Sequence, residues 1–348
     1  MTAMQQRSKP KITIRDIARG CDVSVQTVSR VINNRPDVSS ATREKIESFI
    51  AKSGYRPNAV ARSLVSRRSQ TLGVIIGGLR YISVGYTLNG INEACKKAGY
   101  SLMITEFLET ESTDISPLIL TMVEKQVEGI IYAAPDLNDN VAFFQAHLPV
   151  ACPPIIFIKS QPNEKFTTIS IDNYGGACKA VEHLIEVGCR HIGHISGPLS
   201  WLEARERKQG WKDTLRKHGL KLHDASCFEG DWTGESGIEL FPRLLQRYPN
   251  LDGLFVSNDE MAMGVIRYAH SNGVRIPEDV AIAGFDNQKE GAFLTPSLTT
   301  VSHPLREMGK LATNTIISII ENEDELYQPI QITLETNLIV RESSSRPR

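Results

Sequence analysis

The sequence predicts two structural classes in one chain: a small all-α headpiece with a helix-turn-helix layout, followed by a larger α/β body built on parallel sheets. Three observations predict this. Apolar residues recur at helical spacing in three short segments before residue 54, charge is divided unequally along the chain, and from Leu72 onward short apolar runs alternate with helical stretches.

In the headpiece, Thr13 with Asp16 three residues on is a helix-start signal, in which each side chain is placed to satisfy a leftover backbone N–H. Ile14, Ile17 and Ala18 then fall at i, i+3, i+4, and the spacing returns in Val28, Val31, Ile32 and in Ile46, Phe49, Ile50, so three helices share one core. Gly20-Cys21-Asp22 allows a turn, Ser24 and Ser39 cap the next two helices, Asn33-Asn34 ends the second, and Gly54 closes the third. At about 100° per residue, Gln26, Arg30 and Asn33 project opposite the Val28, Val31, Ile32 stripe. Gln and Asn match the edge of adenine, Arg forks onto guanine, and the Val25 methyls suit a thymine methyl, which makes this face a candidate major-groove reader. The plain alternative is a solvated polar face.

Charge favours the reader. The 348 residues carry 39 Lys+Arg against 40 Asp+Glu, yet residues 1–70 hold 14 basic and 5 acidic residues, and the remainder 25 and 35. A basic head on an acidic body suits a module whose phosphate contacts supply salt-dependent affinity. Neither an apolar run of about 18 residues nor an apolar signal-peptide core is present, so the expectation is a soluble, cytoplasmic, nucleoid-associated protein without a membrane partner. Six scattered cysteines (Cys21, Cys95, Cys152, Cys178, Cys189, Cys227) lack metal-ligand spacing and read as reduced thiols.

After the third helix, Pro57 starts a segment long enough for about two turns of helix, too short to be stable alone. The segments Leu72–Ile76, Gly129–Tyr132, Ile155–Ile158, Ile192–Ser196, Gly253–Ser257 and Val280–Phe285 read as buried parallel strands. Leu88–Ala98, Gly175–Val187, Arg205–His218 and Met261–Ser271 read as helices between them. About 270 residues of this pattern suffice for two sheets. Ligands of open α/β sheets bind beyond the carboxyl ends of the strands. Here those ends carry Lys159, Gly197, Asn258-Asp259 and Asp286. No G-x-S-x-G, Walker A, H-E-x-x-H or G-x-G-x-x-G pattern supplies catalytic machinery, so an enzyme is not expected, and neither cofactor nor metal is implied.

Residues 12–342 resemble the LacI/GalR family of bacterial transcription regulators. The resemblance rests on the head segment from Thr13 through Leu64 and on SGPLSWLEARERKQGW, EGDW, VSNDEMAMGV, VAIAGFDN and PSLTTV, in family order. It implies a headpiece at 1–56, a hinge helix and linker at 57–71, and a periplasmic-binding-protein-like body of two Rossmann-like lobes at 72–342. The lobes would be about 72–170 with 302–326 and 171–301 with 327–342, leaving a tail at 343–348. It further implies a homodimer or a dimer of dimers on a near-palindromic double-stranded DNA operator. By position, Thr13, Ser24, Val25, Gln26, Ser29, Arg30 and Asn33 would contact DNA, with Ser39, Thr42 and Tyr55 on phosphates. Val25 and Gln26 stand where the family varies its sequence readers. Asn58, Ala61, Arg62 and Leu64 would enter the minor groove, Leu64 as a wedge between base steps.

The same resemblance places a small effector, a sugar or sugar derivative, between the lobes. Arg207 would grip hydroxyls or a carboxylate, with Arg205 as the alternative cleft arginine, while Trp232 would stack on a sugar face. Asn258 and Asp286 would hold hydroxyls, and Tyr81 and Tyr86 are further stacking candidates. Two positions depart from the common family pattern: Lys159 stands where many relatives carry Asp, and His303 lies near a frequent ligand contact. A cleft-facing Lys159 would pair with Asp286 or favour an acidic or phosphorylated sugar. The aromatic residues favour a neutral one. The implied function is repression of carbohydrate-utilisation genes, relieved by a sugar inducer. A corepressor-dependent regulator of the purine or phosphoprotein type is the alternative, ahead of a sugar receptor or an enzyme.

Overall fold

A computed structural model describes residues 12–32, 34–55, 68–107, 115–136, 152–162, 164–322 and 327–345. It divides into two compact units, residues 1–69 and 70–348, each described separately below.

The first unit contains α1 (Ile14–Cys21), α2 (Val25–Ile32) and α3 (Ser40–Ser53). Ile17, Ala18, Cys21, Val28, Val31 and Ile46 are buried together, with Phe49, Ile50 and Tyr55 packed against them, so the three apolar stripes meet as their spacing demands. At the start of α1 Thr13 and Asp16 form the expected capping box, in which the Asp16 carboxylate accepts the Thr13 N–H at 2.9 Å and the Thr13 hydroxyl at 2.7 Å. These two bonds hold the Asp16 carboxyl below its ordinary range. Ser24 and Ser39 accept from the N–H of Thr27 and Thr42, at 3.0 and 3.3 Å, as the caps of α2 and α3. The turn after α1 uses Asp22 in the left-handed region, φ 51°.

The second unit holds two six-stranded sheets. The first contains β1 (Thr71–Gly77), β2 (Ser101–Phe107), β3 (Gly129–Ala133), β4 (Ile155–Ile158), β5 (Thr167–Ile171) and β11 (Gln331–Leu334), in the order β11-β5-β4-β3-β1-β2. The second contains β6 (Ile192–Ser196), β7 (Cys227–Glu229), β8 (Gly253–Val256), β9 (Ala281–Phe285), β10 (Thr299–Ser302) and β12 (Asn337–Ile339), in the order β12-β10-β9-β8-β6-β7. The two sheets repeat the same strand order, apart from the direction of the last edge strand. Every described pairing is parallel except β10 with β12, so the expectation of parallel sheets holds apart from one edge.

Helices cover the sheets: α4 (Ile82–Ala98), α5 (Ser116–Glu124) and α10 (Leu305–Glu321) in the first lobe, and α6 (Asn173–Glu186), α7 (Leu202–Lys217), α8 (Gly234–Arg247) and α9 (Asp259–Asn272) in the second. The chain passes between lobes three times: from β5 to α6, from β10 to α10, and from β11 to β12. The last crossing corrects the boundary expected at 326/327. Residues 331–334 add to β5 as an edge strand of the first sheet, so the return lies at 335–336. A tail beginning at 343 is likewise corrected. Ser343 donates to the Ile282 carbonyl at 2.7 Å and accepts the Thr299 N–H at 2.8 Å, and Ser344 bonds His183 and Thr299, so residues to 344 belong to the second lobe. All six cysteines are free thiols, and no helix among the described residues is long and apolar enough to cross a membrane.

The first lobe depends on the close approach of α4 and α10. A Cβ on Gly90 would overlap the Arg306 carbonyl, and one on Gly309 the Thr87 carbonyl, so neither helix has room for a side chain at the crossing. Gly90→Ala is therefore expected to destabilise the body by about 1–3 kcal/mol through forced separation of the two helices. Gly85→Ala, on the same helix but with nothing near its added Cβ, should stabilise by about 0.5–1 kcal/mol through helix propensity. Urea melts of the two variants check this; equal shifts would exclude the packing argument.

Candidate functional site

Two surfaces qualify. On the first, α2 presents Ser24, Val25, Gln26 and Arg30 to solvent, opposite the buried Val28 and Val31, while Ser29 is half-buried. Val25 is 42 % exposed, too much for a valine whose only purpose is the core. Arg30 pairs with Asp37 at 3.4 Å, both chains about half exposed. Such a pair contributes at most about 1 kcal/mol, so the guanidinium is cheaply freed for another partner. Thr13, Ser39 and Thr42 stand at helix starts with their hydroxyls in capping bonds, and Tyr55 is half-buried on the headpiece core. Asn33, Asn58, Ala61, Arg62 and Leu64 lie outside the described residues, as does the whole expected hinge helix.

The second surface is a cleft between the two lobes of the body, where the strand ends of both sheets meet. Arg207 is its centre. Helix α7 places this guanidinium at 5 % exposure, where Nε donates to Asn173 Oδ1 at 3.0 Å and a terminal nitrogen donates to the Ser257 carbonyl at 2.6 Å. The Asp286 carboxylate lies 3.6 Å away, and the plane of the guanidinium sits 3.7 Å from the Phe285 ring centre. The alternative, Arg205, donates instead to the carbonyls of Leu199 and Ser200 and does not line the cleft.

Asp286 follows β9 with φ 120°, a conformation that costs a non-glycine residue of order 1–3 kcal/mol. Its loop is braced by Asp259, whose buried carboxylate accepts the Gln288 N–H and the Thr300 hydroxyl at 2.8 and 2.6 Å. His303, at the second lobe crossing, brings Nε2 to 3.3 Å from the same Asp286 oxygen. Burial pushes this imidazole below its ordinary value despite the carboxylate, so it is neutral at pH 7 and Arg207 carries the balancing charge. Lys159, at φ 63° after β4, lines the cleft. Burial lowers its amine, and the carboxylates of Glu203 and Asp286 oppose that shift. Trp232, at φ 75°, is fixed by Asn258: the Asn258 amide donates to the Trp232 carbonyl at 2.8 Å and its oxygen accepts the Met261 N–H at 2.9 Å. Asn258 lines the cleft, but both ends of its amide are engaged by backbone. Tyr81 lines the cleft as expected, whereas Tyr86 packs on the core of the first lobe.

Among the lining residues that sequence reasoning missed are Ser160, Asn173, Trp201, Glu203 and Glu206. A signal existed for two of them, since Glu203 and Glu206 fall at i−4 and i−1 of Arg207 and at i, i+3 of one another on the same helix. Asn173 Nδ2 donates to Glu206 Oε2 at 3.0 Å, so Asn173 joins the carboxylate to Arg207. Burial raises the Glu206 carboxyl to about 7, with Glu203 and Asp172 adding to the rise and the Asn173 bond and Arg207 opposing it.

Comparisons with known proteins agree with this architecture. Residues 13–58 match the family model described as bacterial regulatory proteins, lacI family, and residues 181–344 match that of the periplasmic binding protein-like domain. Catabolite control protein A of Priestia megaterium is 33 % identical over 313 residues, covering 90 % of this chain and 93 % of that one. A solved structure of the lac repressor dimer bound to operator and the anti-inducer ONPF superposes with a TM-score of 0.87 at 26 % identity, over 96 % of this chain and 99 % of that one. The complex of the transcriptional regulator CelR with cellobiose gives 0.70 at 28 %, over 96 % and 100 %. A reading helix on a three-helix head and an Arg-centred cleft between twin α/β lobes thus occur together in this chain, which belongs to the lacI family of bacterial regulatory proteins.

Proposed function

We propose that this protein is a cytoplasmic, sequence-specific DNA-binding repressor of carbohydrate-utilisation genes, not an enzyme, and that a small neutral sugar bound in the cleft releases it from its operator. One observation carries the choice of effector. Among the described residues, the buried side-chain atoms Ser160 Oγ, Glu203 Oε2, Trp232 Nε1 and His303 Nδ1 lack a hydrogen-bond partner, and all four residues line the cleft. Buried polar atoms are normally satisfied, so a convergent set of donors and acceptors calls for a ligand with several hydroxyls. The lining carboxylates Asp172, Glu203, Glu206, Glu260 and Asp286 outnumber the cations Lys159 and Arg207, which disfavours an acidic or phosphorylated sugar. Trp201 and Trp232 add apolar faces for the C–H side of a ring.

In this reading the chain works as a homodimer, as in the operator complex of the lac repressor dimer. Val25, Gln26 and Arg30 read bases, Thr13, Ser24, Ser29 and Asn33 support them, and Ser39, Thr42 and Tyr55 hold phosphates. The segment with Asn58, Ala61, Arg62 and Leu64 enters the minor groove. Arg207, Asp286, His303 and Lys159 form the polar end of the effector site, with Tyr81, Trp232 and Asn258 around it. The sugar favours one angle between the lobes, and the two hinge segments of the dimer lose their grip on DNA as that angle is adopted.

A thermal-shift screen of neutral sugars, sugar acids, sugar phosphates and purines, paired with operator titrations, tests this. A saturating neutral sugar at about 100 times its Kd should add about 2.7 kcal/mol to the body and weaken operator binding by about 5- to 150-fold. A ligand that stabilises without changing operator affinity would sink the coupling; one that tightens it would identify a corepressor. At the reading helix, Gln26→Ala should reduce discrimination at one base pair by about 1–3 kcal/mol while leaving the salt dependence of binding unchanged. Equal losses on operator and random duplex would remove Gln26 from the readers.

The raised Glu206 carboxyl makes stability pH-dependent. A carboxyl that titrates near 7 when folded and near 4.5 when unfolded keeps its proton longer in the native state, so its contribution is present at pH 4–5 and is lost as pH rises through 7. Glu206→Gln retains an oxygen for Asn173 and removes that loss. The variant should match the parent near pH 4 and exceed it by about 2–3 kcal/mol at pH 8, read from melts across that range. A difference that does not grow with pH would show that Glu206 ionises normally.

A further inference from the structure

The loops that follow the first strand of each lobe are built alike. In the first lobe, Gly77-Gly78-Leu79-Arg80-Tyr81 leads into α4; in the second, Gly197-Pro198-Leu199-Ser200-Trp201 leads into α7. Leu79 donates its N–H to Glu106 Oε1 at 2.8 Å, and Leu199 donates to Glu229 Oε1 at the same distance. Both glutamates sit at the carboxyl ends of edge strands that occupy matching places in the two sheets, β2 and β7. Tyr81 donates its N–H to the Gly78 carbonyl at 2.9 Å, and Trp201 to that of Pro198 at 3.0 Å. Each aromatic then caps its helix with nearly the same backbone, φ −86° and ψ 130° against φ −85° and ψ 135°.

These two equivalent residues meet. The rings of Tyr81 and Trp201 stand edge to face, perpendicular, with centroids 5.5 Å apart, although each belongs to a different lobe. Trp201 in turn packs its edge on Trp232, 5.8 Å away, so the contact continues to the aromatic wall of the cleft. On the other side, the Arg80 guanidinium lies 4.8 Å from the Tyr81 ring centre and donates to its hydroxyl at 2.6 Å, fixing the phenol in place. Both lobe loops are braced by their glutamates, so the meeting of the rings depends on the angle between lobes more than on loop drift.

We propose that Tyr81 and Trp201 form an aromatic clasp that joins the lobes beside the cleft and determines how firmly the cleft retains a neutral saccharide. Retention of the saccharide rests on the effector reading above; the clasp itself does not. A ligand must part the rings to leave, and an edge-to-face pair adds its own attraction to the closed arrangement. Polar groups around Arg207 orient the sugar, while the clasp governs its escape.

The test uses the full chain with Tyr81→Leu, Trp201→Leu, the double variant and the conservative Tyr81→Phe. Without ligand, the shifts in melting temperature of the two single leucine variants should exceed the shift of the double variant when added together, because each removes the same contact. Acrylamide should quench the tryptophan fluorescence of Tyr81→Leu more strongly than that of the parent, since the partner edge covering Trp201 is gone. Tyr81→Phe should remain near the parent in both. D-Glucose, D-ribose and cellobiose are the sugar probes. A probe that binds the parent should dissociate about 2- to 10-fold faster from Tyr81→Leu and at the parental rate from Tyr81→Phe. Additive melting shifts with unchanged quenching would overturn the clasp, and equal dissociation rates would overturn its part in retention. If no probe binds the parent while the melting and quenching effects appear, the clasp stands and the sugar reading falls.

Discussion

The buried charge of Arg207 constrains the rest of the body. A guanidinium cannot shed its proton to escape a dry environment, so its surroundings must replace the water it has lost. The second lobe does this with four groups from separate elements: Asn173 at the start of α6, the Ser257 carbonyl after β8, the Phe285 ring on β9, and Asp286 beyond it. Each must arrive within hydrogen-bonding or stacking distance at once. That requirement explains why Asp286 is held at φ 120° and why a second buried carboxylate, Asp259, ties down its loop. Replacing Arg207 alone would take from Asp286 the cation nearest to it and leave it beside a neutral His303, a larger loss than the ion pair itself is worth.

The cleft is built from strained or unsatisfied parts that a core would exclude. Lys159, Trp232 and Asp286 all have positive φ, and all follow the carboxyl ends of strands. Ser160, Glu203, Trp232 and His303 keep buried polar atoms unpaired. Strain of this kind persists only where the scaffold over-determines it, and here the twin sheets supply the rigidity. The same concentration of polar groups makes the cleft the place where a ligand with matching donors and acceptors gains most, because a buried polar atom left unmatched by the ligand costs affinity.

Much of this was legible in the sequence, for reasons that differ by element. Strands β1, β3, β4, β8 and β9 are buried on both faces and so appear as mainly apolar runs, β6 keeps the pattern around a buried His194, and edge strands such as β7 and β11 lack such a run and were missed. The helical stripes of the headpiece were visible because three short helices must share one small core. Arg207, Asp286, Trp232 and Lys159 were placed by resemblance and by their position after strands. Trp201 was not singled out because an aromatic at a helix start looks like core unless its partner is known, and Tyr81 is 120 positions away on another lobe. Glu203 and Glu206 share a helix face with Arg207, but a charged run on a helix ordinarily means solvent. The crossing at 335–336 was invisible because β11 joins a sheet whose other strands end at residue 171.

The two units differ in where they hold free energy, and this bears on how a switch in this chain would work. In the headpiece the described candidate readers on the second helix are largely exposed, and the ion pair between Arg30 and Asp37 is solvent-screened and worth at most about 1 kcal/mol. Little is gained or lost there before DNA arrives. In the body, by contrast, a buried cation, a carboxyl raised to about 7 and several unpaired polar atoms all depend on what fills the cleft. A ligand shifts an equilibrium only by the difference between its affinities for the two states. The groups able to produce a difference of several kcal/mol are in the body, so the headpiece sets which sequence is read and the cleft sets how large the response to an effector can be.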